Sequence, residues 1–523
     1  MGTKFATILQ DRTRATGLLT LLLLALAGCS GSSSPSSITT TPPPENPIGP
    51  NLTKISSDPY TLAVGQHATE VEPHLAAYGN TLVAAFQTGR LSQNQGVGAG
   101  STAIGWATST DGGTTWAHGF LPGLTFGEGG GPYEAASDPA VAYDAKHGVW
   151  MIASLPVSSS QSPAVVVSGS TDGGLTWQTP VSVDATSSSS DKNWIACDSW
   201  PSSPHYGNCY VQWDDPAIFD EILMSTSSDG GQTWSSPLPT ANQALGIGGQ
   251  PLVQPNGNVV VPIWLLSNQS NQMAAFLSTD GGATWTAPVV IASMQSHLDA
   301  AGIRSGPLPS AAVDGTGTIW VVWEDCRFRS GCSTNDLVYS TSTDGLSWSS
   351  VTRVPIDDPS STVDHFIPGI GIDPATSGAD AHIGIHYYYY SQSNCTVSTC
   401  QLIVGFISSA NGGATWNAPV AVAGPTLMAW LPISQNGLMV GDYIATAFTN
   451  GVPHGAFAVA AANSGSTFDE AMYTGQGLTV RMAGRQFSSA ADKPLHRLSD
   501  TIERERPEKG VIPPSRKARR RAK

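Results

Sequence analysis

Positive charge is almost missing from the middle of this chain. Of its 24 Lys and Arg, 13 lie from Arg481 onward and 4 at or before Lys54. That leaves 7 cations in residues 55–480 against 32 carboxylates, a formal charge near −25. So acidic a body repels nucleic acid rather than binding it. Also lacking is any sustained helical period of apolar residues, which argues against helical bundles and α/β folds. Charged residues make up only 12% of the chain, while 56 Gly and 37 Pro punctuate short apolar runs. That is the pattern of an all-β protein. Cysteine is sparse as well, and no two cysteines stand in a CxxC spacing with histidines nearby, which argues against a zinc site.

What is present begins with a leader. Lys4, Arg12 and Arg14 precede the apolar run "GLLTLLLLALAG", too short to span a membrane as a mature helix. The run ends in Leu26-Ala27-Gly28-Cys29. This resembles a bacterial lipoprotein signal, which implies that residues 1–29 are a signal peptide and that Cys29 is lipidated. The protein is then exported and anchored in the bacterial cell envelope, facing the periplasm or the exterior. Residues 30–53, rich in Ser, Thr and Pro, read as an extended tether. The other six cysteines fall in three close pairs, Cys197/Cys209, Cys326/Cys332 and Cys395/Cys400. Fifteen pairings exist in principle, and the clustering favours three local disulfides in an oxidising compartment. Residues 481–523 form a basic tail expected to be disordered.

One phrase recurs between those ends. "STDGGTTW" at residues 109–116 returns as "STDGGLTW" from Ser170, "SSDGGQTW" from Ser227 and "STDGGATW" from Ser278. "STDGLSW" from Ser342 is one residue short, and "SANGGATW" from Ser409 has Asn in place of Asp. Aspartate can accept hydrogen bonds from its own turn, glycine supplies positive φ, and tryptophan buries a large ring. The phrase resembles the Asp-box of sialidase-like β-propellers, with Asp111, Asp172, Asp229, Asp280, Asp344 and Asn411 in the acidic position. The resemblance implies a β-propeller of four-stranded antiparallel blades over residues 54–480. Strand starts recur near Glu72, Asp138, Asn193, Gln250, Ser305, Asp364 and Asp442, one more than the boxes. The surplus predicts seven blades, with six as the alternative, the last closed by an N-terminal strand near residues 58–65.

The box joins the third and fourth strands and is scaffold, so function belongs at the opposite end of the strands. Four of the body's five arginines, Arg90, Arg304, Arg327 and Arg329, map to that face. A guanidinium fork matches a carboxylate. Sialidases hold the substrate carboxylate with three arginines, and the resemblance implies substrate binding by these four together with Asp364 and His365. It implies Tyr443 as nucleophile, Glu324 as its partner and Asp138 as acid/base, a departure from the two-carboxylate scheme of most glycosidases. The F/Y-R-I-P motif that opens sialidase domains is absent, and "IRSGP" around Arg304 is a faint echo of it. Two readings follow. One is an exo-glycosidase that removes terminal acidic sugars; the other is a non-catalytic propeller that binds glycan or protein at the cell surface. Both expect a monomer with a glycan or glycoconjugate partner and no cofactor, with a structural calcium left open.

Overall fold

The computed structural model describes Gly49 and residues 51–481, less 63–64, 92–99, 129, 160, 188 and 267–270. The signal segment, Cys29, most of the tether and all of the tail beyond Arg481 lie outside the described residues. Within them the chain is all-β, and its helical content is confined to short 3-10 turns such as Pro216–Ile218 and Met428–Trp430. No helix of the described residues is long and apolar enough to cross a membrane.

The strands fall into antiparallel groups of four in chain order. The first holds Glu70–Tyr78, Thr81–Arg90, Ser101–Ser109 and Ala117–Phe120, and the second Ala135–Asp144, Val149–Val157, Val165–Ser170 and Val181–Asp184. One bridging pair, Ser101 with Ala136, joins these two into a single sheet. The third is Asp191–Cys197, Cys209–Asp215, Glu221–Ser227 and Leu238–Pro239. In the fourth, Gly246–Ile247 and Leu252–Val253 both pair with Val259–Leu266, ahead of Asn271–Ser278 and Val289–Ser293. The fifth runs from Ser310–Val313 to Thr352–Arg353, and the sixth from His365–Ile372 to Val420–Leu427. In the seventh, Ala445–Thr449, Val452–Ala460 and Glu470–Gly475 are completed by Leu52–Lys54. The leading strands adjoin one another in this order, and Ala445–Thr449 comes back against Glu70–Tyr78. Apolar cores fill the spaces between neighbouring groups, as where Tyr210 and Met224 of the third meet Val261 and Phe276 of the fourth.

The N-terminal closure forms, but not with the segment the sequence suggested. Leu52, Thr53 and Lys54 pair with Gly475, Thr474 and Tyr473. Residues 58–62 form no strand, and Asp58 accepts hydrogen bonds from the N–H groups of Tyr60 and Thr69, both at 2.9 Å. The strand therefore begins inside what reads as tether. Since the last group takes its fourth strand from the other end of the chain, it has no link in which a box could sit.

Each box does what its residues dictate. Asp172 Oδ1 accepts from the Thr176 N–H at 2.9 Å and from Ser170 Oγ at 2.8 Å, while Thr176 Oγ1 donates to Oδ2 at 2.6 Å. Gly173 and Gly174 take φ of 84° and 82°, which a side chain would strain. These bonds to the ionised form hold Asp172 near a pKa of about 2. In the last box Asn411 repeats the pattern, its Oδ1 accepting from Thr415 N at 2.8 Å and its Nδ2 donating to Thr415 Oγ1 at 2.8 Å. Asp172→Ala should therefore lower Tm by about 2 °C, the loss of one capping interaction, whereas Asp172→Asn should retain most of it. Thermal melts of both variants decide this; an equal loss in the two would mean the carboxylate charge matters more than its acceptor geometry.

Candidate functional site

The leading strands share a defect that aims side chains inward. In the first group the pairing register slips between Val71 and His74, in the second between Ser137 and Ala140, in the third between Asp191 and Trp194, and in the sixth between Phe366 and Gly369. Each slip is a β-bulge, and the residue in it has positive φ: Glu72 at 55°, Asp138 at 48°, Lys192 at 46° and Ile367 at 49°. Three of the four precede a proline, Pro73, Pro139 and Pro368, which cannot donate to the ladder and so fits a bulge. A non-glycine residue there stores strain, a feature concentrated at functional sites.

Glu72, Asp138 and Lys192 meet in a cavity of about 500 Å³ that Arg90, Arg304, Asp191 and Asp442 also line. Lys192 Nζ lies in direct contact with Asp442, 3.3 Å from Asp138 Oδ2 and 3.9 Å from Glu72 Oε1. Arg304 forks onto Asp442, its Nε donating to Oδ1 at 2.6 Å and its Nη2 donating to Oδ2, and approaches Glu72 Oε1 at 3.8 Å. Gln87 Nε2 donates to Glu72 and, at 3.2 Å, to Ser137 Oγ, whose hydroxyl donates to Asp138.

Burial sorts the protonation states. Desolvation, then repulsion from Asp138, pushes Glu72 up to about 8, against the opposing pull of Lys192. Desolvation likewise raises Asp191 to about 6. Asp442 stays well below the usual carboxylate range, because Arg304 and Lys192 outweigh its burial. Lys192 is held well above the ordinary lysine value; its burial, the largest influence, works the other way and is outweighed by Asp138, Asp442 and Glu72.

Arg90 makes no ion pair among the described residues, whereas Arg304, Arg327, Arg329 and Arg353 each do. It is 3% exposed, donates to Gln87 Oε1 at 3.2 Å, and its Nε has no hydrogen-bond partner among the described residues. Burial, then the charge of Arg304, pulls its pKa down, yet an arginine remains protonated in a protein. It is a buried guanidinium on the cavity wall with spare donors.

Of the nine residues singled out from the sequence, Asp138, Arg90 and Arg304 line this cavity; the other six do not. Their contacts place them elsewhere. Arg327 is tied to Asp325, at 2.6 Å from Oδ2, and to the Ser293 carbonyl at 2.6 Å. Arg329 is buried between Asp336 and Asp357, at 2.5 and 2.7 Å, and also donates to the carbonyls of Asp358 and Ser361. His365 lies 3.8 Å from Asp357 and is pressed by burial down to about 4. Glu324 is buried near Asp299 and Asp364, its Oε2 3.4 Å from the Ile367 N–H. Asp364 accepts from the Asn335 N–H at 2.8 Å. Tyr443 is buried, its hydroxyl donating to the Pro139 carbonyl at 3.2 Å and its ring edge-on to Trp194. Tyr443 and Glu324 are not brought together, and the three-arginine clamp does not form. Glu72 and Asp442 stood among the strand starts without a role, and Lys192 adjoins the start at Asn193; the recurring X-Pro could have raised Glu72, while no such signal marks Lys192 or Asp442.

The three cysteine pairs form as disulfides, Cys197–Cys209, Cys326–Cys332 and Cys395–Cys400, as suits an exported protein. The last two brace loops between second and third strands, at the end of the molecule that carries the cavity.

A family model described as a BNR repeat-like domain matches residues 205–369. A sialidase of Bacteroides fragilis (strain YCH46) is 26% identical over 212 residues, 35% of this chain and 37% of that protein. The match thus spans little more than a third of that relative's length. Among solved structures, the NanB sialidase of Streptococcus pneumoniae is 13% identical with a TM-score of 0.42, over 82% of this chain and 70% of that one. An ulvan lyase of a polysaccharide lyase family is 10% identical with a TM-score of 0.46, over 81% and 95% of the two chains. The repeat match and the six box hairpins together make this a sialidase-like BNR/Asp-box fold.

Proposed function

We propose that the chain is a lipid-anchored propeller of seven blades whose central cavity hydrolyses the glycosidic bond of a carboxylate-bearing sugar. The blade count is supported by the strand groups and their circular order of adjacency, and the anchor by the sequence around Cys29. Arg90 carries the functional reading. A buried guanidinium without an ion pair among the described residues, beside Arg304 and facing a cavity of sugar size, is suited to a substrate carboxylate. The relative named a sialidase fits an acidic sugar. Glu72, protonated at neutral pH, is the general acid, and Asp138 is the opposing carboxylate. Both approach the same ammonium, so they lie close enough for two-carboxylate hydrolysis. Asp442 stays ionised and orients Lys192 and Arg304.

The test is a panel of fluorogenic sialosides, glucuronides and neutral glycosides. Turnover is expected on the acidic members, and Arg90→Ala should raise KM about 10- to 100-fold there. Hydrolysis of neutral glycosides alone, or an Arg90→Ala variant with unchanged KM, would exclude the assignment. The commitment of both Arg304 and Lys192 to Asp442 favours a second reading, a propeller that binds an acidic glycan without cleaving it. Calorimetric binding of the glycan, lost in Arg90→Ala, with no turnover across the panel, would establish that instead.

A further inference from the structure

The cavity is not polar all round. Pro216, which follows the second strand of the third group, Ile247 and Trp264 of the fourth, and Leu308 ahead of the fifth also line it. Ile247 and Trp264 are register partners in their ladder, so their side chains lie together on one face. Leu308 packs beside them, since a Cβ on Gly248 would stand 2.6 Å from its Cδ2. These four side chains offer a single polar group, Trp264 Nε1, which has no hydrogen-bond partner among the described residues.

The apolar surface continues out of the cavity. Pro216–Ile218 is a 3-10 turn pinned by Asp215, whose carboxylate accepts from the Ala217 N–H at 2.8 Å and from Ser187 Oγ at 2.7 Å. The turn presents Ile218 and Phe219 to solvent, and Phe219 is 81% exposed at a φ of 68°. Positive φ is costly for a bulky residue. The turn thus holds an aromatic ring in water against both its hydration and its backbone preference. The Asp220 carbonyl accepts from the Gly246 N–H at 2.8 Å, which seats the turn against the strand of Ile247, beside the exposed Leu245.

In the circular order of adjacency the fourth group stands across from the first, which carries Arg90. A sugar held by its carboxylate at Arg90 therefore directs its far side toward this wall. A second sugar would press hydroxyls onto side chains that hold one donor and no acceptor, leaving them unpaired. An alkyl chain would bury its methylenes there, each worth about fourfold in affinity. We propose that the leaving group taken by this cavity is apolar, the alkyl chain of a glycolipid rather than a second sugar, and that Trp264, Ile247, Leu308 and Phe219 bind it. The proposal rests on the glycosidase reading for the bond that is cut, but the wall binds the chain whether or not cleavage follows.

Octyl, methyl and lactosyl sialosides and glucuronides, kept below micellar concentrations, test this on the full chain. The octyl member is expected to have a KM about 30-fold below the methyl one, while the lactosyl member gains no more than a few-fold. Phe219→Gly suits the backbone and should raise Tm slightly, yet reduce the octyl advantage to about fivefold. Ile247→Ser should reduce it similarly. Phe126→Ser, which alters an exposed phenylalanine that does not line the cavity, should keep the full advantage. Equal KM values for octyl and methyl overturn the proposal, as does a lactosyl KM below the octyl one. So does an octyl advantage untouched by Phe219→Gly, or one lost in Phe126→Ser. If Ile247→Ser does not fold, Phe219→Gly decides. If no member is hydrolysed, the glycosidase reading falls and calorimetric Kd values of the same compounds decide the wall alone. Octyl binding about 30-fold tighter than methyl then sustains the proposal, and equal or absent binding overturns it.

Discussion

Exchanging Lys192 for methionine is expected to destabilise the protein by about 3–5 kcal/mol. The ammonium is 8% exposed and is shared by Asp442, Asp138 and Glu72. Methionine matches its stem but leaves those carboxylates facing one another without their central cation, and breaking a buried pair from one side strands the other charge. The loss should depend on pH in a definite direction. Glu72 has its folded pKa raised to about 8 from an ordinary 4.5, so between those values the folded state binds the extra proton. Stability from this group is therefore greatest at low pH and declines as pH rises from about 4.5 to 8. Removing Lys192 takes away an influence that lowers the Glu72 pKa, which widens that window upward. The deficit of Lys192→Met, measured by urea unfolding, should be larger at pH 8 than at pH 5. A deficit independent of pH would mean that lost packing, not exposed charge, is the cause.

How far the sequence disclosed this molecule depends on the length scale of the signal. The boxes were legible because one hairpin chemistry is written six times and its bonds close within a copy, as where Ser170, Asp172, Thr176 and Trp177 all bond inside residues 170–177. A strand of three residues, Leu52–Lys54, has no period to betray it, so the closing segment was placed too late in the chain. The scarce arginines pointed to the end of the strands that carries the cavity, but residue type does not say which partner a guanidinium takes. Arg327 and Arg329 stand in a loop beside Asp325 and Asp336, and Asp357 arrives from 28 residues beyond Arg329. Their charge is spent locally. Arg90 has no acid within 17 residues on either side, the nearest being Glu72 and Asp111, and it is the one that stays open. Tyr443 lies buried with its hydroxyl donating to the Pro139 carbonyl of a neighbouring bulge, a contact that residue type in sequence does not foretell.

The largest effect on activity is expected at Glu72, a residue that the fold, rather than any motif, brings to the centre. Glu72→Gln keeps the shape and can still meet Gln87, but has no proton to give a leaving group. On an acidic glycoside with a poor leaving group kcat should fall by about 10³-fold, within the range for loss of general acid catalysis. With a nitrophenolate leaving group, which departs without protonation, the loss should shrink to a few-fold. KM should stay near that of the unaltered enzyme, because the carboxylate of the sugar is held by Arg90. The wild-type rate should decline as pH rises through about 8, where Glu72 gives up its proton, and that alkaline limb should vanish in the variant. A uniform loss across leaving groups would assign Glu72 to scaffolding. Retention of the alkaline limb in Glu72→Gln would move the acid to another group, with Asp191, raised to about 6 on the same wall, as the next to substitute.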